Sequence, residues 1–484
     1  MGKNTILENI KIEKLVFWGK WFAKLDNGRV CFISWWAIPW SIVNLKIIKK
    51  KRDFIEAQII QVIKKSALET WNYELIPGAP WVNIEYKEQL KIKESQVKEA
   101  LFHCKKYQDN ILHLPIIPMD STFWYRNKIE FSFWKYISHR ENIFENFNIW
   151  FHKRWDFSRV LDFESCILID ELQNSIYSDV RKYTQESILP VYDQKTRTWF
   201  WRHLMIRGMH FSNEVLLVFS VNPNYFKSWD SRDEEMDKVK KFIIEELVSR
   251  YPQIHSVYIS HNINKADTLI WDLELVYGSE TISESLLWYS FDIGPKSFFQ
   301  TNSVWAEKLY SLVREFAGKV RWNNWSNTKL STVLDLYAGT WTIGIMFSDI
   351  AQEVISVELV KEASNNWEKN AQKNRIHNMK FVNAKVEDFL EEYIAQQWTN
   401  NLNNDLLIID PPRAGMHPKA LPNILKFWTE QIIYVSCNPA TLGRDIEYIL
   451  ANSDYCIEKV QAIDMFPHTH HIEIVVSLIK KPSC

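Results

Sequence analysis

The sequence predicts a multidomain α/β protein: a small N-terminal β-barrel of the OB-like kind, a central α+β domain and a C-terminal Rossmann-like domain with a doubly wound sheet. Its 484 residues suffice for about three domains of roughly 100 to 200 residues each. Hydrophobic residues make up 46% and charged residues 24%, a composition typical of globular proteins. Strand-like alternation dominates until about residue 285, and alternating apolar strands and helices follow it.

Composition excludes several classes of protein. No run of 18 or more uncharged apolar residues occurs, and the first residues are too charged for a signal peptide. The six cysteines lie far apart without a CxxC pair, which argues against a disulfide framework, a metal site or an iron-sulfur cluster. We therefore expect a cytoplasmic protein with no membrane partner and no evident obligate protein partner.

Residues 1–66 form the predicted barrel. They alternate apolar and polar residues between short breaks, and they carry 13 Lys or Arg against five acids, a net charge of +8. Because the whole chain has a net charge of -1, the positive charge is segregated here. A basic barrel favours a nucleic-acid partner, although a solvated charged face is an equally good interpretation of charge alone.

The middle of the chain has two predicted parts. Residues 67–114 form a connector with an amphipathic helix at about 84–104, whose apolar residues recur at helical spacing. Residues 115–285 contain several strand-like runs interrupted by a helix at about 233–250, which predicts a mixed α+β domain.

Residues 286–484 form the predicted C-terminal domain. Strands such as VLDLY, VISVEL, LLIID and IIYVS alternate with helical segments, and two further strands close the sheet. In such a sheet the ligand sits at the carboxyl ends of the strands.

The first two of these strands carry a nucleoside-binding pattern. VLDLYAGTWTIG places Asp335, Tyr337 and Gly339 in a strand-to-helix turn, and Glu358 ends the next strand about 20 residues later. An acid at that spacing bonds ribose hydroxyls in dinucleotide-binding folds. An ordinary strand-to-helix turn is the alternative interpretation.

Reactive side chains follow the later strands. Asp410 ends LLIID, and Cys437 follows the neighbouring strand IIYVS between polar Ser436 and Asn438. A partly exposed cysteine at a strand tip is a candidate nucleophile, whereas a buried one is usually an inert core residue. Glu473 in HIEIVV lies among apolar residues, where burial raises the pKa of a carboxyl group toward that of a general base; a surface carboxylate is the alternative.

In this order the motifs FFQTNS, DLYAGTxTIG, VE, DPPRAG, SCNPATLGRD and FPHTxHIE resemble the signature of the S-adenosylmethionine-dependent RNA (uracil-C5)-methyltransferases. Residues 1–66 resemble the RNA-binding TRAM domain of the branch that modifies 23S rRNA. The resemblance implies an RNA-binding central domain and a methyltransferase domain at the C-terminus. Many relatives carry a four-cysteine iron-sulfur motif before the amphipathic helix; this chain has no cysteine there, so we expect no iron-sulfur cluster.

The resemblance also implies roles for individual residues. Cys437 is the implied nucleophile that adds to uracil C6, and Glu473 is the implied base that removes the C5 proton. The implied contacts of S-adenosylmethionine are Gln300, Tyr337, Thr342, Glu358 and Asp410. His468, His470 and His471 are interpreted as structural, because no cysteine or acid completes a metal site with them.

Aromatic and basic residues of the central domain are candidate RNA contacts, although surface ion pairs would explain each of the charged ones equally well. They are Tyr125, Arg126, Lys128, Arg202, His203 and Arg207.

Tryptophan is in excess and glycine is scarce. The chain has 12 Gly and 23 Trp, although average glycine usage of about 7% predicts more than 30 glycines. Trp341 stands where the cofactor turn requires glycine. We therefore hypothesise that the gene uses UGA as a glycine codon, decoded here as tryptophan. The other glycine-like positions are Trp18, Trp21, Trp35, Trp36, Trp40, Trp124, Trp134, Trp150, Trp155, Trp199 and Trp288.

Three functions remain open from the sequence. The first is methylation of 23S rRNA, and the second is the same chemistry on tRNA. The third is an RNA-binding pseudoenzyme that has lost its cofactor through a genuine Trp341, whose indole would project into the cofactor's space. Comparing S-adenosylmethionine binding by this chain and by its Trp341→Gly variant distinguishes the third from the other two.

Overall fold

Two compact units make up the chain. The computed structural model describes residues 4–16, 20–34, 38–70, 76, 78–138, 143–153, 156–187, 189–226, 229–265, 268–318, 329–339, 342–360, 368–400, 404–427 and 429–480. One unit comprises residues 1–120, 308–361 and 376–484, and the other comprises residues 121–307 and 362–375. This division is coarser than the four domains expected from the sequence, whose boundaries remain a prediction.

The first unit begins with a six-stranded sheet. Its strands are β1 (Ile6–Lys11), β2 (Lys14–Val16), β3 (Lys20–Lys24), β4 (Val30–Ser34), β5 (Ile42–Lys50) and β6 (Phe54–Lys64). The order is β1-β5-β6-β4-β3-β2, antiparallel except for the β4–β6 pair. Period-two alternation buries Val43, Leu45 and Ile47 of β5 in one core. The strand order leaves β1 and β2 as outer strands, and the OB-like barrel remains a prediction.

A helix with an unusual buried face follows this sheet. It is α1 (Tyr86–Ala100), and a short 3₁₀ turn, Phe102–Lys106, continues it. Its buried residues are Val97 and the polar Gln89, Lys93 and Gln96. The predicted amphipathic helix is therefore present, but polar side chains rather than apolar ones form most of its inner face.

The second unit is built on a seven-stranded sheet. The elements of this unit are β7 (Lys128–Ser138), β8 (Ile143–Trp150), β9 (His152–Lys153), β10 (Asp156–Val160), α2 (Glu171–Glu186), β11 (Tyr192–Asp193), β12 (Trp201–Gly208), β13 (Val215–Val221), α3 (Trp229–Lys241), β14 (Ile254–His261), β15 (Asp272–Gly278), β16 (Ile282–Leu286) and β17 (Tyr289–Ile293). The strand order is β11-β7-β12-β13-β14-β15, and β8 pairs with β7. Residues of β12 and β13 are buried along their whole length, so both faces of the sheet are covered at its centre.

The C-terminal sheet belongs to the first unit and has seven strands. The elements after β17 are α4 (Ser303–Phe316), β18 (Leu330–Leu336), α5 (Thr342–Phe347), β19 (Ala351–Glu358), β20 (Met379–Asn383), α6 (Val386–Asn400), β21 (Asn404–Ile409), α7 (Ala420–Lys426), β22 (Thr429–Ser436), α8 (Pro439–Ala451), β23 (Tyr455–Ile463) and β24 (Glu473–Lys480). The strand order is β20-β19-β18-β21-β22-β24-β23. Strands β18 to β22 are parallel, and β24 is inserted antiparallel between β22 and β23. Helices alternate with the parallel strands, as expected for a doubly wound sheet.

Among the described residues, no helix is long and apolar enough to span a membrane.

The tryptophans at glycine-like positions fall into distinct structural classes. Trp40 and Trp124 have φ of 76° and 57°, a region that side chains with a Cβ rarely adopt, and both indoles are exposed. Trp288 is also exposed, without a positive φ. Buried in the structure are Trp21, Trp134, Trp150 and Trp199. Trp18, Trp35, Trp36, Trp155 and Trp341 lie outside the described residues. The backbone therefore supports the glycine hypothesis at Trp40 and Trp124.

Replacing Trp40 or Trp124 with glycine should raise the free energy of unfolding by about 1 kcal/mol each, because glycine adopts positive φ without a Cβ clash. Chemical denaturation of the single variants measures this. Trp271→Gly is the matched control, since Trp271 is 51% exposed without a positive φ, and it should give no such gain. Equal effects at all three positions, or UGG codons at positions 40 and 124, would contradict the hypothesis.

Candidate active site

The carboxyl ends of four neighbouring parallel strands meet at one edge of the C-terminal sheet. Asp335 lies near the end of β18, and Glu358 ends β19 on one side of it. Asp410 follows β21 and Cys437 follows β22 on the other side. The register pairs Leu336 with Val357 on one side and with Ile409 on the other, so Glu358 and Asp410 follow at one level and Asp335 lies one position before Leu336. This edge is where ligands bind in open α/β sheets.

The turn after β18 has the backbone of a ligand-binding loop. Tyr337 and Gly339 have φ of 61° and 55°. The Gly339 amide donates to Glu358 Oε2 at 3.0 Å, and the Val360 amide donates to Oε1 at 3.0 Å. The two bonds hold the Glu358 carboxylate at the end of β19. Thr340 and Trp341, the next two residues of the sequence, lie outside the described residues.

Helix α5 packs closely against β18 after this turn. The Gly344 amide donates to Asp335 Oδ2 at 3.0 Å, and a Cβ on Gly344 would lie 2.8 Å from that oxygen and closer still to the Ser356 hydroxyl. Glycine is thus required by the close approach of helix and strand. This packing is the role of the third glycine in nucleotide-binding turns.

Thr342 and Tyr310 make a contact that the sequence did not reveal. Thr342 begins α5 and is buried, and its side chain hydrogen-bonds the hydroxyl of Tyr310 from α4. Burial raises the pKa of Tyr310, and the negative charges of Asp410, Glu473 and Asp335 raise it further. Tyr310 therefore lies among the acids of the site. The only signal for Tyr310 in the sequence was a hydroxyl group on the otherwise apolar face of α4.

The acids of the site are buried. Burial raises the pKa of Asp335 to about 7, and the charge of Asp410 adds to this effect. Burial likewise raises the pKa of Asp410 to about 7. Among the described residues, Asp335 Oδ1 has no hydrogen-bond partner. Buried, incompletely paired carboxylates favour a cation, so this set of side chains fits the positively charged sulfonium and ammonium groups of S-adenosylmethionine.

Tyr337 is half-buried beside this edge. Its hydroxyl accepts a hydrogen bond from the His417 amide at 3.4 Å, and burial raises its pKa to about 12. The phenol is neutral at physiological pH, so its ring and hydroxyl offer apolar contact and a hydrogen bond rather than charge.

Cys437 lies between β22 and α8 on a tightly bonded turn. Asn438 caps α8 through its side-chain oxygen, which accepts from the Ala440 amide at 3.0 Å. Its Nδ2 donates to the Arg413 carbonyl at 2.7 Å. The turn is fixed by these bonds, as the predicted nucleophile requires, while the thiol remains half-buried.

The electrostatics around Cys437 oppose ionisation of its thiol. Burial raises its pKa to about 12, and the charges of Glu473 and Asp410 add to this effect, while Arg413 lowers it. The thiol is therefore protonated at neutral pH. Formation of a thiolate at this position would need closer cationic charge or transfer of the proton to a neighbouring base.

Glu473 begins β24 and is the second candidate catalytic group. Its side chain is buried, and burial, followed by the charge of Asp410, raises its pKa well above the usual range while Arg413 lowers it. Strand β24 pairs with β22 so that Ile474 lies opposite Ser436. The next residues along this ladder are Glu473 and Cys437, which brings the two predicted catalytic residues together.

The histidines before Glu473 make hydrogen bonds within the protein. His468 Nδ1 lies 3.0 Å from Gln89 Nε2, and His471 Nδ1 lies 3.2 Å from Arg413 Nη2. In the described part of the chain, no group of three His, Cys, Asp or Glu side chains is arranged to hold a metal ion.

Gln300 belongs to the other compact unit. Its carbonyl accepts from Asn127 Nδ2 at 2.8 Å, and the Thr301 carbonyl accepts from the Asn127 amide at 2.8 Å. Asn127 thus fixes the backbone of the FFQTNS segment. The role of Gln300 as a cofactor contact remains a prediction.

Four of the candidate RNA contacts are buried, so their interpretation as surface groups is wrong. Arg202 lies over the Tyr192 ring, 3.7 Å from its centroid. Arg207 donates to the carbonyls of Gly294 and Ser297 at 3.0 and 2.9 Å. Tyr125 and His203 are also inside the unit. Arg126 and Lys128 are partly exposed and remain predictions.

Known proteins resemble this chain over its whole length. The family model described as tRNA (uracil-5-)-methyltransferase matches residues 274–481. An uncharacterised RNA methyltransferase of Caldanaerobacter subterraneus subsp. tengcongensis is 34% identical over 99% of this chain and 100% of its own length. Another, of Bacteroides thetaiotaomicron, is 34% identical over 95% of this chain and 98% of its own.

The fold is also that of a solved structure. The Pyrococcus abyssi tRNA (uracil-54, C5)-methyltransferase, crystallised with S-adenosyl-L-homocysteine, superposes with a TM-score of 0.70 and 24% identity, covering 98% of this chain and 100% of that chain.

The affinity for S-adenosylmethionine should rise with pH up to about 7 and then level off. The pKa values of Asp335 and Asp410 lie near 7, so below that pH these acids are neutral and must lose protons to face a cation. Below pH 7 the affinity for S-adenosylmethionine should fall by at most roughly tenfold per pH unit for each proton that binding releases. Titration calorimetry between pH 5.5 and 8 measures this dependence.

S-adenosyl-L-homocysteine, whose sulfur is uncharged, should show a weaker dependence on pH. Asp410→Asn should flatten the curve for S-adenosylmethionine. An affinity for S-adenosylmethionine that does not change over this range would show that neither acid faces the ligand.

Proposed function

The chain belongs to the family of S-adenosylmethionine-dependent RNA methyltransferases that act on uracil C5, and from this premise we propose that it methylates a uridine of 23S rRNA through a covalent Cys437 adduct. We further propose that it acts in the cytoplasm. The observation that carries the mechanism is the end of the β22–β24 ladder, where Cys437 and Glu473 continue the pairing of Ser436 with Ile474. The proposed reaction needs a nucleophile and a base on one uracil ring, and this register places a thiol and a carboxyl group side by side.

The proposed reaction explains why both groups are needed. Uracil C5 is a weak nucleophile, so the thiolate of Cys437 adds to C6, forming a C6–S bond and moving an electron pair toward C5 and O4. That electron pair would form the bond from C5 to the methyl carbon of S-adenosylmethionine, while the sulfur–methyl bond breaks and its electrons leave a neutral thioether. Glu473 then takes the proton from C5, and the electron pair of that bond expels the Cys437 thiolate and restores the C5–C6 double bond.

The raised pKa of Glu473 suits this role. A buried carboxylate is a stronger base than an exposed one, because burial disfavours its ionised form. Asp410 supports this effect, since its negative charge raises the pKa of Glu473. The target base must leave its stack to reach these groups.

The proposed RNA target rests on the N-terminal segment. Residues 1–66 have a net charge of +8. Exposed basic residues end β5 and begin the turn to β6: Lys49, Lys50, Lys51 and Arg52. Such a surface binds phosphates without regard to sequence, and the resemblance of this segment to the TRAM domain favours 23S rRNA. Methylation of tRNA is the second candidate, because the matching family model and the solved Pyrococcus abyssi enzyme are both named for tRNA.

Cys437→Ala should abolish both methylation and any covalent RNA adduct, because no other group adds to C6. Glu473→Gln should instead form the adduct and accumulate it, with turnover reduced by about 10²- to 10⁴-fold, as is typical for loss of a general base. Denaturing gel electrophoresis of enzyme and RNA with S-adenosylmethionine measures both outcomes. Cys456→Ala, at a half-buried cysteine of β23, is the matched control and should behave as the unaltered enzyme. An active Cys437→Ala enzyme would end the proposed mechanism.

Deleting the gene should remove a 5-methyluridine from 23S rRNA and leave tRNA unchanged, if the basic N-terminal segment selects the ribosomal target. Mass spectrometry of nuclease fragments from both RNAs measures this. Complementation with the intact gene should restore the modification, and complementation with Cys437→Ala should not. Loss from tRNA would support the second candidate, and loss from neither RNA would contradict both.

A further inference from the structure

The loop that leads into Glu473 is irregular yet buried. It runs from Asp464 to His471, between β23 and β24. Asp464, Met465, His468 and Thr469 are each at most 4% exposed. At its start Ile463 pairs with Glu473 across β23 and β24. The position of Glu473 therefore depends on how this loop is held at both ends.

Lys93 of α1 holds the start of the loop. Its Nζ lies 2.6 Å from Asp464 Oδ1 and donates to the Phe466 carbonyl at 3.1 Å. Both side chains of the ion pair are fully buried, and the ammonium lies 5.6 Å from the centroid of the Trp81 ring. Burial lowers the pKa of Lys93, and the charge of Asp464 opposes this effect. The cation therefore depends on its contact with the loop.

Gln89, one turn earlier on α1, holds the middle of the loop. Its Oε1 accepts from the His468 amide at 2.8 Å, and its Nε2 lies 3.0 Å from His468 Nδ1. The Trp81 amide donates to the His468 carbonyl at 2.8 Å. His468 has a φ of 62°, so its backbone is held in an unfavourable region. Burial lowers the pKa of His468 to about 4, which keeps its ring neutral in this setting.

Bonds within the loop carry this constraint toward Glu473. Thr469 Oγ1 donates to the Phe466 carbonyl at 2.7 Å and accepts from the His471 amide at 3.1 Å. Lys93 bonds the same Phe466 carbonyl. An unbroken series of hydrogen bonds therefore connects α1 with a residue two positions before Glu473.

The energetics favour a positioning role over simple stabilisation. A buried ion pair commonly contributes no more stability than apolar side chains of similar volume, because desolvation of both charges offsets their attraction. What an ion pair provides in addition is a defined geometry between its two elements. Here those elements are a helix far away in sequence and the loop that carries the proposed base.

We propose that Lys93 and Gln89 are positioning residues that fix the Asp464–His471 loop and so direct the Glu473 carboxylate at the C5 proton. The inference rests on the proposed function. Neither residue contacts substrate; both act through the loop. Loss of this anchor slows proton abstraction specifically, while thiol addition and cofactor binding continue.

The test uses the full chain and a variant that keeps the buried region uncharged. Lys93→Met alone leaves the Asp464 carboxylate buried without its cation, which destabilises the fold, so the decisive variant is Lys93→Met combined with Asp464→Asn. Its turnover should fall by roughly 10- to 100-fold, as for a catalytic group displaced by about 1 Å. S-adenosylmethionine affinity and thermal stability should stay near those of the unaltered enzyme.

Two readouts identify the affected step. The covalent RNA adduct should accumulate in the double variant, as in Glu473→Gln, and RNA carrying 5-deuterated uridine should show a larger isotope effect than with the unaltered enzyme. Glu99→Gln is the matched control. Glu99 also belongs to α1, but its ion pair with Lys14 of β2 is exposed, so its loss should change none of these quantities.

Unaltered turnover and an unaltered isotope effect in the double variant would overturn this inference and leave the proposed function standing. So would a parallel fall in stability, cofactor affinity and adduct formation, since a merely structural pair predicts that pattern. Absence of any adduct with the unaltered enzyme and with Glu473→Gln would instead overturn the proposed function, and the inference with it.

Discussion

The burial of negative charge at the carboxyl edge of the C-terminal sheet is the constraint on which the site depends. Asp335, Asp410 and Glu473 all have raised pKa values because burial disfavours their ionised forms. In a site without a cation these groups bind protons, and a positively charged ligand displaces those protons. Burial, followed by the charges of Glu473 and Asp410, keeps the Cys437 thiol protonated. Two of the three acids therefore connect the charge of a bound ligand with the ionisation of the proposed nucleophile.

The insertion of β24 between β22 and β23 solves a geometric problem that a purely parallel sheet leaves open. Parallel strands bring only their carboxyl ends to the site, whereas an antiparallel strand brings its amino end there. Glu473 is the first residue of β24, so it reaches the same edge as Cys437 from the opposite chain direction. The irregular loop before it then needs an external support, which explains why α1 presents Gln89 and Lys93 to the interior.

Local sequence was sufficient to predict which residues stand at the strand ends of the candidate site, but not the contacts that support them. Three residues stand at strand ends beside neighbours that mark those ends: Asp410 precedes a proline, Cys437 precedes an asparagine, and Glu473 lies among apolar residues. Each of these signals lies within a few positions of the residue concerned. Lys93 and Asp464 are 371 positions apart, and a lysine on an amphipathic helix is normally solvated. Arg202 and Arg207 were misinterpreted for the same reason, because their aromatic and carbonyl partners are brought to them only by the folded chain. The strand and helix alternation predicted the C-terminal sheet, whereas the polar inner face of α1 required tertiary contacts.

Backbone geometry discriminates among the tryptophans in a way that composition cannot. A buried indole such as Trp150 fills space between Phe131, Phe163 and Tyr177, and glycine there would leave a cavity that destabilises the fold. A residue with positive φ is different, because the strain lies in the backbone and no packing around the side chain removes it. Trp40 and Trp124 are of this second kind. The turn that follows β18 has the same backbone conformation in its described residues, because Tyr337 and Gly339 both have positive φ. A misassigned glycine codon would therefore distort this protein chiefly at tight turns such as those that contain Trp40 and Trp124.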